Sequence, residues 1–234
     1  MQPQETEEVV SGYEGAETAP QKISDCEITA ATITKGSNPI LASNGAKVEH
    51  KRLLTVNGVV PVTFAISYNS LIRGQSGIGV GWDFANAYAA QIAEAPNGDV
   101  TILWSDNQQH KFSPKGDGTY NTESFGCRLD KLTKLEDGTF KVERRNRLTY
   151  IFNEFNFLTR IENHQGQGTN FEFDEQSRLK KAYEPVSNVG ITYSYNSDGF
   201  LVEASTNYGR SVSLSYENNQ LTKITHANGM VEKF

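Results

Sequence analysis

The sequence predicts an all-β protein made of antiparallel hairpins, and three observations carry that prediction. Short runs alternate apolar and polar side chains with the two-residue period of half-buried strands. Seven Asn-Gly or Asp-Gly dipeptides, beginning at residues 44, 57, 97, 117, 137, 198 and 228, punctuate those runs. From about residue 148 a hairpin-length unit repeats four times.

The chain of 234 residues begins with an acidic stretch. Glu5, Glu7, Glu8, Glu14, Glu17 and Asp25 face only Lys22, with no hydrophobic period, so residues 1–25 read as a flexible tail. "MQPQETEEVV" has neither the basic start nor the apolar centre of a signal peptide. No apolar stretch reaches the ~18 residues that a membrane-crossing helix needs, so no membrane insertion is expected. The net charge of −6 disfavours a nucleic-acid partner, which would want a basic face. Cys26 and Cys127 are too few and too far apart for a metal motif or a disulfide framework, and Cys127 reads as a small buried thiol.

Residues 26–147 form a β-rich entry region. Within it, "FAISYNSLIRGQSGIGVGWDF" (64–84) places Gly74, Gly77, Gly79 and Gly81 before Trp82. Gly77, Gly79 and Gly81 lack the third glycine of a dinucleotide fingerprint, because Trp82 stands at that position, and no Gly-Lys-Ser/Thr follows to make a phosphate loop. The expectation is a sharp corner whose glycines let the backbone approach the Trp82 ring. "FANAYAAQIAEA" (84–95) fits a short helix or a strand equally well. Strands follow at "VTILW" (100–104), "HKFSP" (110–114), "TFKVERR" (139–145) and "RLTYIF" (147–152). The Asn-Gly and Asp-Gly pairs between them suit type I′ hairpin turns.

Residues 148–234 contain the repeat. Its second aromatic is Phe152, Phe173, Tyr195 and Tyr216, at intervals of 21, 22 and 21 residues. Leu158, Leu179 and Leu201 follow six residues later; Leu221 follows after five, which suits a two-residue Asn218-Asn219 turn. Three residues beyond each leucine stand Ile161, Ala182, Ala204 and Ile224. The second unit breaks step at Pro185 with a longer loop. Each unit reads as a strand, a polar turn and a return strand that together present one apolar face. A lone hairpin cannot bury that face, so the units must lie side by side in one sheet.

With these residues in view, the chain resembles the Rhs/YD-repeat family, best in "YNSDGFL" (195–201) and "FDEQSRL" (173–179). "GSNPILASNGAK" (36–47), "PVTFAISYNS" (61–70) and "GIGVGW" (77–82) are similar to the entry region that precedes the repeats in that family. The resemblance covers roughly residues 36–234. It departs at the Tyr-Asp pair, which here reads Phe-Asn, Phe-Asp, Tyr-Asn and Tyr-Glu, and the chain stops just before a fifth aromatic is due. The family's self-cleaving aspartyl region and variable toxic domain have no counterpart here.

The resemblance implies a twisted, spiralling sheet forming part of a hollow shell around a polypeptide toxin. Its partners would be further shell repeats, the cargo and a secretion-spike protein. It also implies a bacterial protein, cytoplasmic before export, delivered to competitors by type VI secretion, with a cell-surface setting as the variant.

The residues themselves offer no enzyme. His50, His110, His164 and His226 share no metal-ligand spacing and read as turn or sheet-surface residues. Glu136, Asp137 and Asp198 lie in expected turns, and no serine elbow or cysteine signature occurs. No cofactor or metal is expected. Two uses remain open for the aromatic stripe: core or inner wall of an enclosure, or an exposed platform for sugar rings in an adhesion module. A β-domain hydrolase is the remainder.

Overall fold

The computed structural model describes residues 40, 45–104, 109–122 and 127–234. The expected acidic tail, Cys26 and most of the 36–47 motif lie outside these residues. The fold is all-β and antiparallel, with no α-helix among the described residues.

Among the described residues there are three sheets and a small ribbon. β1 (Val48–Val56), β2 (Val62–Asn69) and β5 (Trp82–Phe84) form one sheet, and β3 (Gln75–Ser76) pairs with β4 (Gly79–Val80) in the corner between β2 and β5. Residues 84–95 are not helical: β5 ends at Phe84, Ala87–Ala89 make a single 3-10 turn, and β6 (Gln91–Glu94) follows. β6 pairs in sequence order with β7 (Val100–Leu103), β8 (Gln109–Pro114) and β9 (Tyr120–Asn121).

The third sheet has eleven strands, each hydrogen-bonded to the next in chain order. They are β10 (Lys131–Lys134), β11 (Phe140–Glu143), β12 (Thr149–Phe152), β13 (Leu158–Glu162), β14 (Gly168–Phe173), β15 (Leu179–Glu184), β16 (Val189–Tyr195), β17 (Leu201–Thr206), β18 (Ser211–Glu217), β19 (Gln220–Thr225) and β20 (Val231–Lys233). β9 runs on towards β10 through a Thr119–Thr133 bridge and the Lys134 amide, which donates to Gly118 O at 2.8 Å. β6 returns to the turn after β12, where Gln91 bridges Phe157 and the Ile92 amide donates to Asn156 O at 3.1 Å. Strands β6 to β12 thus curl into a closed turn of sheet.

The apolar faces meet in one core. Phe64 of β2 lies edge-on to Tyr193 of β16 at 5.4 Å between ring centres, and Phe84 of β5 contacts both rings. Trp104, Tyr150, Phe140, Phe152 and Ile191 extend the same buried cluster. Burying each such large side chain contributes about 1.5–3 kcal/mol, which makes this shared core the main source of cohesion between entry region and repeats.

The hairpin turns differ from expectation in an instructive way. At Asn97, Asp117, Asp137, Asp198 and Asn228 only the following glycine has positive φ, whereas a type I′ turn needs it at both central residues. Nine turns among the described residues instead share a three-residue loop. In the turn at 196–200, the Gly199 amide donates to Asn196 O (3.1 Å) and the Asn196 amide to Phe200 O (2.9 Å). One left-handed residue closes each loop, and it is Arg147, Asn156 or Ser177 where glycine is absent. Asn218 and Asn219, with φ of 50° and 64°, do form the two-residue turn with both residues left-handed.

Candidate functional site

The residues singled out in the repeats assemble into two rows on the sheet. Phe152 lies opposite Leu158, Phe173 opposite Leu179, Tyr195 opposite Leu201 and Tyr216 opposite Leu221. Beside them Tyr150 faces Ile161, Phe171 faces Ala182, Tyr193 faces Ala204 and Leu214 faces Ile224. Phe152, Leu158, Leu179, Leu201 and Leu221 are buried, while Phe173, Tyr195 and Tyr216 are half-buried against the same core.

A spacing of three between Leu158 and Ile161 would place them on opposite faces of a straight strand. A β-bulge after each leucine resolves this. The register skips Thr159, Lys180, Val202 and Thr222, so the leucine and the residue three further on share a face. Thr159 and Thr222 donate their hydroxyls across the bulge to Ile151 O (3.1 Å) and Ser215 O (3.2 Å).

The bulged leucine also links neighbouring units. Tyr195 Oη donates to Leu179 O at 2.9 Å, and Tyr216 Oη donates to Leu201 O at 2.8 Å. Burial pushes both phenols well above their ordinary pKa, so they remain donors throughout the physiological range. Tyr193 is different: its hydroxyl is buried with no hydrogen-bond partner among the described residues, and burial raises its pKa as well.

The residue after each repeat aromatic builds the turn. Oδ1 of Asn153 accepts the amides of Phe155 and Phe157; Oδ1 of Asp174 accepts those of Gln176 and Arg178; Oδ1 of Asn196 accepts those of Asp198 and Phe200. An amide oxygen does this as well as a carboxylate oxygen, which is why Asn153 and Asn196 can stand where the second unit has Asp174. Burial alone would raise the Asp174 pKa, but the Arg178 amide and guanidinium and the Gln176 amide lower it on balance. Glu217, the exception, opens the two-residue turn, which has no such loop to fill.

Two glycines of the Gly-rich corner, Gly77 and Gly79, lie against the repeats. A Cβ on Gly77 would lie 3.4 Å from Gly199 O and 3.6 Å from the Tyr195 ring, and one on Gly79 would lie 3.2 Å from Leu221 N and 3.3 Å from Asn219 O. A Cβ on Gly81 would lie 2.7 Å from the Tyr68 ring. Gly79 and Gly81 also have φ of 108° and 76°, which only glycine adopts without strain. Trp82 itself packs against Tyr68 and Phe234, at 5.2 and 5.4 Å between ring centres.

Three features were not legible at the sequence level. His110 is fully buried, not on the surface: Trp104 Nε1 donates to its Nδ1 at 3.0 Å. Asp130, beside it, accepts from Arg144 Nε at 3.1 Å and from the Arg145 amide at 3.2 Å. Glu184, the last residue of β15, is buried beneath the long loop of the second unit, where it accepts the Ser187 hydroxyl and the amides of Val186 (2.7 Å), Ser187 (2.9 Å) and Val59 (3.4 Å). Cys127 is buried, as its residue type suggests. Among the described residues no group of three His, Cys, Asp or Glu could hold a metal ion, and no helix is long and apolar enough to cross a membrane.

Residues 37–112 match a protein family described as a domain of unknown function, DUF6531. That match takes in β1 to β7 and most of β8, including the Gly-rich corner, and stops short of the repeats. No curated protein matches the chain.

Proposed function

We propose that this chain is a wall segment of an Rhs/YD-type enclosure: a structural, non-enzymatic sheet that surrounds and protects a polypeptide cargo. In this reading the cargo is a toxin exported in bacterial competition through type VI secretion, and the partners are further repeats, the cargo and the delivery spike.

The observation that carries the reading is the order of the eleven-stranded sheet. Every strand from β10 to β20 pairs with its sequence neighbour, and β20 lies at the edge with one partner strand among the described residues. Such a sheet lengthens simply by adding hairpins, and an unpaired edge invites that addition. The rows of aromatics support a wall over a sugar-binding platform, because Tyr150, Phe152, Phe171 and Tyr193 are buried and unavailable for stacking on sugar rings.

Electron microscopy of the natural polypeptide that carries these repeats tests the reading. The expected result is a hollow particle with enclosed density. A solid or extended particle, together with specific hits on a glycan array, would favour the adhesion module instead.

A further inference from the structure

We infer that the entry region is a brace that sets the spacing and curvature of the hairpins, and that the two irregular repeats are shaped to receive it. Each of the four units is hydrogen-bonded to the entry region, through three of its segments. The first is held by β6, whose Ile92 amide donates to Asn156 O at 3.1 Å. The second is held by the β1–β2 turn, where the Val59 amide donates to Glu184 Oε2 at 3.4 Å. The third is held at the corner, where the Leu201 amide donates to Gly77 O at 2.7 Å, and the fourth where the Val80 amide donates to Asn219 O at 3.3 Å.

The irregularities of the repeat fall at two of these contacts. The long loop of the second unit exists around Glu184, and Gly58 sits so close that a Cβ there would lie 2.7 Å from Ser187 Oγ and 2.8 Å from Val189 Cγ2. The short turn of the fourth unit brings Asn219 against β3 and β4: its Nδ2 donates to Gln75 Oε1 at 3.0 Å. β1 then reaches the last strand, where Lys51 Nζ pairs with Glu232 at 2.6 Å. A three-residue loop like that of the third unit, in place of Asn218-Asn219, would add a residue to the contact surface and push the corner away.

Restoring regularity tests this. Glu217→Asn with a glycine inserted between Asn219 and Gln220 recreates the pattern of the third unit, a sound turn on its own. Hydrogen exchange should show Leu214 and Ile224 still protected, while the Val80 amide exchanges at least about fivefold faster, as expected for losing a hydrogen bond. Gln75→Ala, a mild change at an exposed position, should shift Val80 in the same direction by a smaller factor. Ser177→Gly, in a turn with no hydrogen bond to an entry segment among the described residues, should leave Val80 unchanged. Unaltered protection of Val80 in both of the first two variants, or an equal loss in Ser177→Gly, overturns the inference.

Discussion

Tyr195 donates its hydroxyl to the carbonyl of Leu179, 16 residues earlier, across the boundary between two hairpins. Two residues away on the same strand, Tyr193 buries an identical hydroxyl without a partner among the described residues. The two tyrosines therefore respond oppositely to loss of the hydroxyl. Tyr195→Phe should lower stability by about 1 kcal/mol, seen as a lower urea midpoint at unchanged slope. Tyr193→Phe should be neutral or stabilising, because it removes a buried group that water would otherwise solvate. Equal losses in both variants would show that the inter-unit hydrogen bond carries no weight.

The turn residues separate chemistry from charge. Asn196→Ala removes an acceptor of two amides and should cost about 1–2 kcal/mol. Asn196→Asp keeps the acceptor and should be nearly silent at neutral pH. Chemical denaturation of the pair decides whether the side-chain oxygen, rather than its charge, closes the loop.

Glu184 gives the protein an acid-sensitive contact. The Ser187 hydroxyl and three backbone amides hold its pKa down to about 2, against the opposing effect of burial, from an ordinary 4.5. A depressed folded-state pKa means that the stabilisation is fully present above pH 4.5 and is lost as pH falls towards 2. Glu184→Gln should flatten that acid limb of the stability profile. An unchanged slope between those pH values would remove Glu184 from the explanation.

Two glycines with similar backbone but different surroundings test the corner. Gly166 and Gly81 have φ of 74° and 76°, yet a Cβ on Gly166 meets nothing within 4 Å while one on Gly81 meets the Tyr68 ring. Gly166→Ala should cost only the left-handed strain of about 1–2 kcal/mol. Gly81→Ala should cost a further 1–3 kcal/mol, roughly, from the clash. Thermal melts of both variants measure the difference directly.

What could be read from the sequence was what local periodicity encodes. Strand pairing, the placing of Phe152, Phe173, Tyr195 and Tyr216 in one series, and the two-residue turn at Asn218-Asn219 all follow from spacing along the chain. The bulge after each leucine was implicit in the three-residue step from Leu158 to Ile161, which no straight strand can place on one face. Contacts between distant segments were not readable. Alternation along β8 puts His110 on the same face as Phe112, between Gln109 and Lys111, but nothing in the spacing named Trp104 as the partner that its ring accepts from. The Gly-rich corner announced close approach but not its partner, because Gly199, Asn219 and Leu221 lie more than a hundred residues further along.

The most direct measurement of the proposed wall is the behaviour of its open edge. Sedimentation and light scattering of the purified chain over a wide concentration range should show mass rising with concentration as β20 edges find partners. A single monomeric mass at every concentration would contradict an edge built for further hairpins.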